Sequence, residues 1–269
     1  MVVICNFEGE ILMRKILKKV VAFTLAETLI VMGIIGIISA LTLPNLNSST
    51  GEKEKVAKVK KLYQNLNDAL GRAEAVYGPL DEWFIGSDTP AATKKFGERM
   101  ADFMKTSKSC GVSTGQGCFS SKDYCPLATS TCAKSVDTQS SDPFYKVITA
   151  DGTSVAFRVS SINCTQSSGQ QSNICAYAYI DIDGPIKGQN KFGIDLFQFF
   201  VDSEMGVVPH GAEINTASTQ ESLISALRGG SQTGWVIKNE NLDYLKIDAN
   251  GKCSNSTKVL NWSTNTTCK

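Results

Sequence analysis

The sequence predicts an α+β protein. A long N-terminal helix, transmembrane in its first half and amphipathic in its second, is expected to pack on an antiparallel β-sheet trimmed with disulfide-rich loops. Three observations predict this. The stretch Val20 to Leu43 is apolar apart from Thr24, Glu27, Thr28, Ser39 and Thr42, and Glu27 is its one charge. From Val56 to Val76 apolar residues recur at three- and four-residue steps, the period of a helix with one buried face. Beyond Phe144, short runs alternate apolar and polar residues between Asp-, Gly- and Pro-containing turns, which is the pattern of half-buried strands.

The apolar stretch reaches the length that a bilayer demands, about 20 residues. Arg14, Lys15, Lys18 and Lys19 precede it. Cations on that flank predict a single membrane pass, with the N-terminus cytoplasmic and the rest exported. Glu27 is out of place, because a carboxylate in such a run costs a few kcal/mol on insertion scales of about 2.5–3.5 kcal/mol and calls for a partner. Gly33, Gly36, Ser39 and Ala40 are small enough to let helices approach closely.

The string Lys18-Lys19-Val20-Val21-Ala22-Phe23-Thr24-Leu25-Ala26-Glu27 resembles the N-terminal signal of type IV pilins and type II secretion pseudopilins. The resemblance covers roughly residues 13–78 and includes Pro44, where that family carries a helix-kinking proline. It implies cleavage between Ala22 and Phe23 by a prepilin peptidase, with Lys18 and Lys19 presenting the cut. It also implies N-methylation of Phe23, insertion in a bacterial inner membrane and then assembly into a filament with other pilin or pseudopilin subunits. Glu27 would receive the new amine of a neighbouring subunit. Ala22 stands where the family normally has Gly. The implied organisation is a leader at 1–22, with a start at Met13 leaving a compact basic leader. A hydrophobic helix follows at 23–43, then its amphipathic continuation at 44–78 and an exported globular domain at 79–269.

A net charge of +1 over 269 residues excludes a strong electrostatic case for binding nucleic acid. Nine cysteines are present. Cys5 precedes the expected cut, leaving Cys110, Cys118, Cys125, Cys132, Cys164, Cys175, Cys253 and Cys268. An even set in an exported domain reads as disulfides. Zinc is the poorer reading, since there is no C-x-x-C and His210 is the one histidine. Pairing does not follow from the sequence. Proximity favours Cys164 with Cys175 and Cys253 with Cys268, the other four pairing among themselves.

The amphipathic helix is expected over residues 52–77 and stops at Gly78-Pro79. Lys53, Lys55, Lys58, Lys60 and Lys61 on its first turns read as a solvated face. Asp88-Thr89-Pro90 marks the start of a second helix, residues 91–105, with Phe96, Met100, Phe103 and Met104 as its apolar stripe. Residues 107–142 read as an irregular, cysteine-stapled loop. Asp151-Gly152 joins two alternating runs as a hairpin, 144–149 with 153–160. Residues 176–182 and 194–201 supply two more strands, giving a four-stranded sheet. A short helix is expected at 219–227, apolar pieces at 235–238 and 244–247, and a polar tail clipped by Cys253 and Cys268.

Asp181, Asp183, Asn190 and Asp195 gather around a Gly/Pro-rich turn. That makes them candidate oxygen ligands for calcium, set against the simpler reading of Asp and Asn capping their own turn. The pattern does not match an EF-hand loop. No nucleophile elbow, P-loop or dinucleotide fingerprint is present, so the expected role is structural rather than enzymatic. The expectation is a subunit of a type IV pilus or type II secretion pseudopilus. The alternative is a minor or tip-located pilin whose large cysteine-rich domain binds a surface, DNA or a secreted substrate.

Overall fold

The computed structural model describes residues 24–84, 86–128, 131–212 and 219–269, and the side chains of 40–50 fall outside that description. The chain divides into two units, 1–49 and 50–269. Helix α1 is assigned over Leu25–Tyr77, so its residues from 50 onward belong to the second unit.

Among the described residues no helix is long and apolar enough to cross a membrane. This corrects the expected fold class and the expected localisation together. From Glu52 onward charged residues are spread along the helix. A long apolar N-terminal helix is therefore not supported, and neither is a single pass of the inner membrane. A sheet organises the second unit, and the helices after α1 are short.

That sheet has seven antiparallel strands rather than four. They are β1 (Thr106–Gly111), β2 (Tyr145–Thr149), β3 (Ser154–Val159), β4 (Gln166–Ser168), β5 (Gln171–Asp181), β6 (Leu196–Asp202) and β7 (Gly206–Pro209). The order is β1-β2-β3-β5-β6-β7, with β4 paired to β5. The β2–β3 hairpin turns at Asp151-Gly152, where Asp151 Oδ1 accepts a hydrogen bond from Thr149 Oγ1 at 2.6 Å. Pro209 closes β7, a position where no ladder donor is required of it.

One face of the sheet carries the main core. Val59, Leu62, Leu66, Ala69 and Ala73 of α1 are buried in the same cluster as Val147, Val155, Phe157, Ile180 and Phe199. Tyr63 stacks on Phe199 with ring centroids 5.7 Å apart. Val76, expected on this stripe, is 63% exposed, because the helix ends one residue later. Helix α2 (Thr89–Phe103) starts as its sequence predicts: Asp88 is the N-cap and accepts from the Ala91 amide at 2.8 Å. Its Gly97 lies flat on Tyr145, and a Cβ there would come within 2.0 Å of the Tyr145 ring.

The other face is also covered, which the sequence reading did not anticipate. Phe119 and Val136 of the cysteine-rich segment join Phe144, Ala156, Tyr179, Phe192 and Leu196 in a second core. Strand β6 is consequently buried at every position. Its sequence, LFQFFVD, is a continuous run rather than a strict alternation, as expected where both faces are dry.

The apolar piece expected at 235–238 is part of helix α4 (Gln232–Asn239), which follows α3 (Gln220–Gly229). The piece at 244–247 is largely a 3-10 helix, Asp243–Lys246. Trp235 is fully buried and meets Trp262 of the tail edge-on, with centroids 5.3 Å apart. The disulfides are Cys110–Cys118, Cys125–Cys132, Cys164–Cys175 and Cys253–Cys268. Each joins neighbours in sequence, so each closes a short local loop. Asp243 fixes the tail, accepting from the Cys268 amide, the Thr267 hydroxyl and Lys246 at 2.6–2.8 Å.

Candidate functional site

Two groups of residues carry the functional expectations, and each belongs to a different unit. Lys18, Lys19, Ala22 and Phe23 lie outside the described residues. Pro44 falls within α1, and its side chain is among those not described.

Glu27 is described, and its first partner is local. The Thr24 amide donates to Glu27 Oε2 at 2.8 Å and the Thr24 hydroxyl donates to the same oxygen at 2.9 Å. In return the Glu27 amide donates to Thr24 Oγ1 at 3.3 Å. This reciprocal pair is a capping box: the carboxylate satisfies backbone donors at the start of a helix that would otherwise have none. The hydrogen bonds from Thr24 hold the Glu27 carboxyl below its usual pKa. The spacing Thr-x-x-Glu ahead of an apolar run was the signal for it, and the sequence reading used the same glutamate only as an acceptor for another chain.

Behind this cap, every large apolar side chain from Leu25 to Ile38 is more than half exposed. Among the described residues nothing lies within 4 Å of where a Cβ would stand on Gly33 or Gly36. A contiguous apolar surface of this kind marks a site of association.

The second group is the loop between β5 and β6. Asp181 ends β5, opposite Ser154 on one side and Leu196 on the other. It is fully buried, and among the described residues its Oδ2 has no hydrogen-bond partner. Burial, reinforced by the nearby charges of Asp195 and Asp183, pushes its carboxyl up to about 8, against the hydrogen bonds it accepts from backbone amides. Asp195 is also fully buried. Both of its oxygens are occupied: Oδ2 accepts from the amides of Gln189 and Asn190 and Oδ1 from that of Lys191. Gly188 is required beside it, since its φ is +89° and a Cβ would come within 2.1 Å of Asp195 Oδ2. Asn190 donates from Nδ2 to the Lys122 carbonyl at 2.7 Å, tying the loop to the cysteine-rich segment. Asp183 faces the helix, 3.8 Å from Lys55 Nζ, which also donates to the Ile194 carbonyl at 2.9 Å.

The structure thus brings the four candidate calcium ligands into one loop but spends them separately. Asp195 braces the turn, Asn190 anchors it, Asp183 meets a lysine, and Asp181 is held towards its neutral form. Among the described residues no three His, Cys, Asp or Glu side chains are grouped to hold a metal. The arrangement is that of a self-capping turn. The lysines expected to line a solvated face include three that reach across to the rest of the unit: Lys55 as above, Lys60 to Glu240 and Lys61 to Asp151. His210 is half-buried, with Nε2 3.2 Å from the Ser231 hydroxyl, and desolvation pulls its pKa down to about 4.

Comparison of the chain with protein-family models, with curated proteins and with solved structures finds no match.

Proposed function

We propose that this chain is a subunit of a pilin-type filament, processed before Phe23 and assembled by packing its apolar helical segment against the same segment of other copies. The observation that carries the reading is the pairing of a capped helix start at Thr24–Glu27 with an uncovered apolar surface from Leu25 to Ile38. Such a surface is costly in water, at about 25 cal/mol per Å² of apolar area. Packing against identical helices removes it, with Gly33 and Gly36 setting close approach. The cap matters to the same end. It pre-orders the first turn next to the point where processing would create a new amine, and in this reading the Glu27 carboxylate receives the amine of a neighbouring subunit. Four disulfides in the second unit fit a protein matured in an oxidising compartment.

The size of the second unit, residues 50–269, favours a minor or tip-located subunit over a densely repeated one, because each copy in a repeating array must leave room for the next. Mass spectrometry of the mature N-terminus from native cells tests the proposal. A terminal peptide beginning at Phe23 and carrying one methyl group supports it. A chain that still carries residues 13–22 refutes it.

A further inference from the structure

Lys146 is the second residue of β2, with its side chain entirely removed from solvent, and the Asp137 side chain facing it is 4% exposed. Lys146 Nζ lies 3.5 Å from Asp137 Oδ1, and among the described residues neither atom has a hydrogen-bond partner. Their surroundings are apolar: Val136 precedes Asp137, Phe144 lies two residues before Lys146, and Ala156 is the cross-strand partner of Lys146. Isolated buried ions cost several kcal/mol each, even after relaxation, and buried polar groups are nearly always hydrogen-bonded. An ammonium and a carboxylate oxygen that are buried against each other, with no hydrogen bond to either, form a strained pair. The backbone holds them there. The Asp137 carbonyl accepts from the Gly115 amide at 3.2 Å, the Asp137 amide donates to Ser135 Oγ at 3.0 Å, and Lys146 is fixed in the β-ladder between Gly111 and Ala156.

We propose that Lys146 and Asp137 are joined in the mature protein by an intramolecular isopeptide bond. A proton first passes from the ammonium to the carboxylate, giving the neutral amine and carboxylic acid that a dry interior favours. Lys146 Nζ then attacks Asp137 Cγ. The new C–N bond forms as the C–OH bond breaks, and the hydroxyl departs with one amine proton as water. The sum is amine plus acid to amide plus water, with no oxidant, reductant or further reactant. Burial depresses the Lys146 pKa against the pull of Asp137, which raises the share of nucleophilic amine. Fixed juxtaposition supplies effective molarities of about 10⁵–10⁸ M in well-oriented intramolecular reactions. The product is neutral and removes two buried charges. It also ties the cysteine-rich segment, stapled internally by Cys110–Cys118 and Cys125–Cys132, to the centre of the sheet.

The test is the mass of the reduced, denatured full chain followed by tryptic mapping. The bond lowers the mass by about 18 Da, one water. It also blocks trypsin at Lys146, so residues 135–158 appear as one peptide with that deficit. Lys146→Arg abolishes the deficit. Full mass with cleavage at Lys146 overturns the proposal on the native protein alone, whether or not the variant folds. A deficit that persists in Lys146→Arg, or that maps outside 135–158, overturns it as well. Either result is independent of processing at Phe23.

Discussion

Replacing Asp181 with Asn probes the most perturbed carboxyl in the second unit. Its folded pKa of about 8 stands well above the ordinary 3.8. A group with a raised folded pKa binds more protons in the folded state across that window, so its contribution is full below the unfolded pKa and is lost as pH rises through the folded one. Between about pH 6.5 and about pH 9 the loss is roughly 2 kcal/mol, at 1.36 kcal/mol per unit of differential ionisation. His210 acts with the opposite sign. Its folded pKa of about 4 lies below the ordinary 6.5, so the unfolded chain binds the extra proton and stability falls as pH drops through that interval. Between about pH 4 and about pH 6.5 the two slopes offset one another, and above it the Asp181 slope stands without that counterweight. Urea midpoints measured with disulfides intact, for native chain and Asp181→Asn at matched pH values, isolate the term, because every other group cancels in the difference. The expected difference curve falls by roughly 2 kcal/mol from about pH 6.5 to about pH 9. A flat difference curve over that range refutes the account of Asp181 as a carboxyl held neutral by burial and by Asp195.

Gly97→Ala should destabilise, although alanine is the better helix former by about 1 kcal/mol. The new methyl meets the Tyr145 ring at 2.0 Å, and overpacking of this kind costs about 1–3 kcal/mol; a raised melting temperature would contradict the packing described. Converting Cys253 and Cys268 to Ala together opens a loop with a sequence separation of 15 and should cost about 3 kcal/mol. That loss is read as a lowered urea midpoint, and an unchanged midpoint would show that Asp243 alone holds the tail.

Much of the second unit was legible because its signals are local. Asp88-Thr89-Pro90 announces α2, and Asp151-Gly152 announces the β2–β3 hairpin. The three-and-four spacing of Val59, Leu62, Leu66 and Ala73 identifies the buried stripe of α1. Other features were missed for identifiable reasons. Strand β7 is only four residues long and follows a turn with no distinctive alternation of its own. Residues 235–238 read only as an apolar piece, and α4 becomes clear only when Trp235 is seen packed against Trp262 of the tail. The segment 107–142 looked irregular because it largely is. Its role, covering the second face of the sheet, depends on Phe119 and Val136 meeting residues far along the chain.

The candidate sites divide the same way. Thr24 and Glu27 are three residues apart, so the capping box was written in the sequence, although it was read as a contact between chains. For Asp181, Asp183, Asn190 and Asp195 the sequence determined composition and proximity, which suffice for a turn and equally for a calcium loop. The fold gave each its contacts: which carboxylate receives three amides, which meets Lys55, and which is buried opposite Ser154. The apolar stretch gives the plainest contrast. Hydropathy alone counted Val20 to Leu43 as long enough to span a bilayer, whereas no described helix meets that requirement. The pairing of Lys146 with Asp137 had no local signature at all. A lysine in a strand and an aspartate in a polar loop are ordinary as letters. Their burial together is set by contacts between distant segments, because a side chain's local dielectric is a property of its neighbours in space.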